Sequence, residues 1–121
     1  MSDNFLKLAR KEIQEELDSL NQILSKCHSD SDIFINGKEI ERHLHKIKGL
    51  ASMMGQKEVG NIAALIDTIA KHVIANGTLD NTYYVFSESI KIMSNIFLGA
   101  NENAEEFKNK IKQTFSGVLN H

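Results

Sequence analysis

Ile40-Glu41-Arg42-His43-Leu44-His45-Lys46-Ile47-Lys48-Gly49-Leu50-Ala51-Ser52-Met53-Met54-Gly55 is the stretch on which the reading of this chain turns. At 100° per residue, Ile40, Leu44, Ile47, Ala51 and Met54 align within about 40° of one direction, the buried stripe of an amphipathic helix. His45 falls about 140° away, with Glu41, Lys48, Gly49 and Ser52 one turn above or below it. The helix therefore presents an imidazole at the centre of its outer surface. Gly49 is unexpected there, because a glycine inside a helix costs about 1 kcal/mol relative to alanine. Clearance for an approaching partner backbone is one reason to keep it; a tolerated surface glycine or a kink is the other.

Outward from this segment, the same three-and-four spacing repeats. Leu6, Ala9, Ile13, Leu17, Leu20 and Leu24 predict a first helix from Asp3 to about Ser25. Asn36, followed three residues later by Glu39, predicts an N-cap and capping box for the helix that Gly55 stops. Ile33-Phe34-Ile35 before it reads either as an earlier helical turn or as an extended lead-in. Val59, Ile62, Ile66, Ile69 and Val73 mark a helix from about Lys57 to Ala75, ended by Asn76-Gly77. Tyr83, Phe86, Ile90, Met93 and Phe97 face inward on the next, from about Leu79 to Leu98 with Gly99 as its stop. Asn101 is expected to cap a last helix carrying Ala104, Phe107, Ile111, Phe115 and Val118. With proline absent and short loops between helices, the expected fold is all-α, an antiparallel up-down four-helix bundle (about 3–98) with an additional fifth helix at the C-terminus (about 101–119).

The bulk composition narrows the function classes. A chain of 121 residues reads as one domain, 1–121, with no room for a second catalytic unit. Fourteen basic against sixteen acidic residues, a net charge of −2, disfavour nucleic acid. Cys27 is the only cysteine and fits a reducing compartment, read as a small half-buried hydrophobe. No stretch approaches the ~20 apolar residues of a membrane span, and the first residues lack a leader pattern, so a cytoplasmic chain without membrane insertion is expected. The initiator Met1 favours a free-standing protein.

His45 and Lys48 stand three apart on one face, so the ammonium can approach anything bonded to the ring nitrogen. Given the chain's five histidines, seven glycines and its lysines, His-x-x-Lys-Gly is expected by chance about 0.03 times, and Gly55 six residues on lowers this more than tenfold. A metal site on His43 and His45 is disfavoured because i,i+2 side chains diverge by about 200°. His28, His72 and His121 are scattered and read as surface or partly buried residues. No glycine-rich phosphate loop is present.

The run His45-Lys46-Ile47-Lys48-Gly49, small residues after it and Gly55 closing the helix, resembles the signature of histidine-containing phosphotransfer domains. Phe5-Leu6-Lys7-Leu8-Ala9-Arg10, leading into Glu15-Glu16-Leu17, is similar to the first helix of the phosphorylated N-terminal domain of chemotaxis kinases. The resemblance covers roughly residues 4–75. It implies that His45 accepts a phosphoryl group, that Lys48 steadies it and that Gly49 opens the docking face, with Glu41, Arg42, Ser52 and Met53 around it. It also implies an orienting acid on the next helix, which ungapped matching places at Asp67. Asp67 is one methylene shorter than the glutamate usual there, and Ala64 stands where a second histidine is common. Read from the residues alone, Asp67 is a helix-surface carboxylate.

The partners so implied are a response-regulator receiver domain, which brings the aspartyl phosphate and Mg²⁺, and an upstream sensor histidine kinase. The chain itself would be a monomeric carrier needing no cofactor and having no ATP-dependent kinase activity. The alternative is a helical interaction module that binds a receiver or kinase without being phosphorylated.

Overall fold

The computed structural model describes residues 2–119. Four long helices, α1 (Asp3–Ser25), α3 (Gly37–Met53), α4 (Lys57–Asn76) and α5 (Thr82–Phe97), pack in a closed ring in which each touches the next and α5 returns to α1. A short helix, α2 (Asp30–Ile35), bridges α1 and α3. Residues that pair across α3 and α4 show the direction of packing. A Cβ on Gly37 would stand 3.3 Å from Ile74, Lys48 reaches Asp67, and a Cβ on Gly60 would stand 3.5 Å from Ala51. As one number rises the other falls, so these helices are antiparallel. No strand occurs among the described residues, and the fold is the helical bundle expected.

The predicted stripes form the core. Ile13, Leu17 and Leu20 from α1, Ile40, Leu44, Ile47 and Ala51 from α3, and Ile62, Ile66 and Ile69 from α4 are fully buried, together with Phe86 and Met93 of α5. Removing this much aliphatic surface from water, at roughly 1.5–3 kcal/mol per large side chain, drives assembly of helices that would be marginal alone. Cys27 lies in the core rather than half-buried. Burial, and after it the charge of Asp32, pushes its thiol pKa up. Gly55 (φ 74°) closes α3 with the paired bonds Gln56 N–H to Ala51 O (2.9 Å) and Gly55 N–H to Ser52 O (3.3 Å), a left-handed turn that glycine adopts at no steric cost.

Several boundaries differ from the sequence reading. Ile33-Phe34-Ile35 is helical, the end of α2, and burial of Ile33 anchors it. Asn36 does not cap α3 through its side chain; its amide instead donates to Asp32 O at 2.9 Å, so the expected capping box with Glu39 is not formed. The backbone N–H that a cap would satisfy follows directly on α2, and the two helices are nearly continuous. The helix expected from Leu79 starts at Thr82, because Asp30 caps it from fifty residues away. Its carboxylate accepts from Tyr83 N (2.8 Å) and Asn81 N (3.0 Å).

At the C-terminus, Asn103 rather than Asn101 is the cap, its Oδ1 accepting from Glu106 N at 3.1 Å. The single last helix is divided into α6 (Ala104–Thr114) and α7 (Ser116–Leu119), because Phe115 leaves helical geometry to bury its ring. Both pieces pack on α4.

Candidate functional site

The buried stripe of α3 fixes the direction of His45. With Leu44 and Ile47 in the core, the imidazole must stand outside, and its side chain is 63% exposed. The antiparallel α4 runs alongside and places Asp67 under the ring. Asp67 is 1% exposed, a buried carboxylate and not the surface group its residue type suggests. His45 Nδ1 lies 3.7 Å from Asp67 Oδ2 and 3.9 Å from Glu41 Oε2. Nδ1 therefore faces the carboxylates, which leaves Nε2 on the opposite edge of the ring.

Two ammonium groups hold Asp67. Lys48 Nζ donates to Oδ2 at 3.3 Å, and Lys71 Nζ, one turn further along α4, lies 3.2 Å from the same oxygen. Burial by itself would push the Asp67 carboxyl up, but the adjacent Glu41, Lys71 and Lys48 together outweigh it and hold the group below its usual value. Glu41 moves the other way, raised first by the neighbouring Asp67 carboxyl and then by burial.

Gly49 sits one turn beyond His45, and a Cβ there would meet nothing within 4 Å, so the face around the imidazole is open. Next to it, Lys48, Ser52, Gly55, Gly60, Asn61 and Ala64 line a groove of about 250 Å³ between α3 and α4. Ser52 and Met53 are exposed, and Arg42 lines a separate groove toward α1 with Ser19, Gln22 and Ile23. Of the residues singled out in the sequence, His45, Lys48, Gly49, Asp67 and Glu41 are thus brought together. Glu41 is more enclosed than a rim residue, with its side chain 22% exposed.

His43 and His45 point to different neighbours. His43 is buried, and its Nδ1 meets Glu16 Oε2 of α1, whose other oxygen accepts from Lys46 Nζ at 3.0 Å. Glu41, His45 and Asp67 do bring three ligand atoms within 4.8 Å of one another. A divalent cation there would face the two ammoniums already on Asp67, so the charges favour an anion at this surface.

Sequence reasoning missed Lys71 and the Glu16–His43 pair. The first was signalled by its i+4 spacing from Asp67. The second was signalled by the place of His43, three residues after Ile40 and four before Ile47, which puts it at the edge of the core stripe.

An exposed imidazole backed by a buried carboxylate, flanked by ammonium groups and by a glycine that clears the approach, offers an outward ring nitrogen to an incoming anionic group. A family model for the Hpt domain matches residues 4–96, and the chain belongs to that family. No curated protein and no solved structure gave a match. The chain accordingly has the histidine phosphotransfer role of a two-component phosphorelay, in which Hpt domains are carriers rather than kinases and work with response regulators and kinases. No described helix is long and apolar enough to cross a membrane.

Proposed function

We propose that His45 is the phosphorylated residue and that it exchanges a phosphoryl group reversibly with the aspartate of a response-regulator receiver domain. The observation that carries this reading is the contact of His45 Nδ1 with buried Asp67 on a ring whose other edge faces out. The Asp67 carboxylate, 3.7 Å from Nδ1, favours a proton held on that nitrogen and so the tautomer in which Nε2 has a free lone pair. Nε2 attacks phosphorus; the N–P bond forms as the P–O bond to the donor aspartate breaks, and that carboxylate leaves. The ring keeps its Nδ1 proton and becomes cationic, a charge that Asp67 balances. In the return step the cationic ring is the better leaving group.

Lys48 and Lys71, each 3.2–3.3 Å from Asp67 Oδ2, stand where they can turn toward the phosphoryl oxygens. Catalysis is then largely positioning, with Mg²⁺ and the acyl phosphate coming from the receiver. The partner would seat on Arg42, Gly49, Ser52 and Met53, with Glu41 at the inner edge. An upstream sensor kinase would load the relay through its own receiver domain. The carrier needs no cofactor of its own and works as a cytoplasmic monomer.

The test is incubation with a radiolabelled phosphorylated receiver. Wild type acquires acid-labile, alkali-stable label, and His45→Gln acquires none while its circular dichroism is unchanged. Label persisting in His45→Gln, or none in the wild type with any receiver of the same source, overturns the reading. The second outcome, combined with tight receiver binding, would instead establish an unphosphorylated interaction module.

A further inference from the structure

Two buried oxygens at this site lack a partner: Glu41 Oε2, on the helix of His45, and Asp67 Oδ1, on α4. Leaving one buried acceptor unsatisfied costs about 1–3 kcal/mol, and with carboxylate oxygens of Glu41 and Asp67 within 4.8 Å of one another, like-charge repulsion adds to this if both groups are ionised. A single proton between them removes both penalties. The groups facing Glu41 are Asp67 and Lys71 from α4 and His45 from its own helix. Lys48 and Lys71 both stand at Asp67 Oδ2, which favours the ionised form of Asp67 and leaves Glu41 as the donor.

We propose that Glu41 is a positioning residue for His45, donating a shared proton to Asp67 Oδ1 so that Oδ2 stays aimed at the imidazole Nδ1–H. This rests on His45 being the phosphorylated residue. In the shared-proton state, Asp67 and the two lysines around the imidazole sum to a net charge of +1. That charge suits an incoming phosphoryl dianion. Loss of the Glu41 proton turns the pair into two carboxylates, and Asp67 swings away from the ring. Glutamine at position 41 keeps a donor for Oδ1 but cannot titrate, whereas alanine supplies none.

The experiment combines side-chain NMR with chemical phosphorylation by phosphoramidate, from which Nε2 takes the phosphoryl group as ammonia leaves. In the wild type the Glu41 and Asp67 carboxyl carbons titrate as a coupled pair, Glu41 above the ordinary glutamate range, and the His45 ring nitrogens report the Nδ1–H tautomer. Glu41→Ala lowers the share of that tautomer and slows uptake about tenfold, the scale of one lost hydrogen bond. Glu41→Gln restores the tautomer and most of the uptake, and removes the pH-dependent loss that follows Glu41 ionisation. A Glu41 carbon titrating alone at its ordinary value, or an unchanged tautomer in Glu41→Ala, overturns the proposal. Neither readout requires a receiver, so failure of Glu41 as a positioning residue is distinct from failure of His45 as the phosphate carrier, which His45→Gln tests in the same assay.

Discussion

Asp67 Oδ2 lies 3.7 Å from His45 Nδ1, although the carboxylate is 1% exposed and the imidazole side chain 63% exposed. A buried anion thus reaches the surface through a ring that solvent and a partner can touch from the other side. Only the close antiparallel packing of α3 on α4 allows this.

Asp67→Asn separates the role of this carboxylate from its contribution to folding. Lys48 and Lys71 are 36% and 54% exposed, so their ion pairs with Asp67 are largely screened, and losing them costs about 1 kcal/mol or less. The expected outcome is a thermal midpoint within a few degrees of the wild type, with phosphate uptake at His45 reduced at least about tenfold. Equal rates of uptake would remove Asp67 from the mechanism.

Gly49→Ala should stabilise the protein. The added methyl meets nothing within 4 Å, and alanine is favoured over glycine in a helix by about 1 kcal/mol. The same methyl projects from the open face beside His45. Transfer from a phosphorylated receiver is expected to slow while uptake from phosphoramidate is unaffected, a split that stopped-flow and labelling assays resolve. Equal slowing with both donors would mean that the methyl disturbs the imidazole itself.

Glu16 ties α1 to α3 through His43 and Lys46. Although burial pushes its carboxyl up, the hydrogen bonds with His43 and Lys46 prevail and hold it below the ordinary value of 4.5. Its contribution to stability is therefore complete above about pH 4.5 and is lost as pH falls through the lower folded-state value. Glu16→Gln should cost about 1–3 kcal/mol in urea melts at pH 7, with the difference shrinking in acid. A difference that does not change with pH would show that the carboxylate's charge is irrelevant.

Ile47→Ala measures the support that the core gives the site. Ile47 is fully buried beneath His45's helix, so about 2–5 kcal/mol of stability should be lost. Because the backbone of α3 is also held by Ile40, Leu44 and Ala51, His45 should still be labelled under folding conditions. A loss smaller than 1 kcal/mol in denaturant titration would contradict the assigned register.

The amino-acid sequence by itself determined the four long helices, the stripe that faces the core and the outward direction of His45, because these follow from a 3.6-residue period that each helix carries locally. It also placed Lys48 and Gly49 beside His45, since residues three and four apart on a helix are always neighbours. The starts and stops that proved illegible were those set by distant groups: Asp30 capping α5, Asn36 turning back to α2, and Phe115 leaving its helix to bury its ring. The tertiary structure alone decided the environment of the carboxylates. Asp67 has the residue type of a surface group, and only the antiparallel register of α4 against α3 puts it under the imidazole with Lys48, Lys71 and Glu41 around it. Burial and charge are sums over everything packed around a group, so a pattern along one helix cannot contain them.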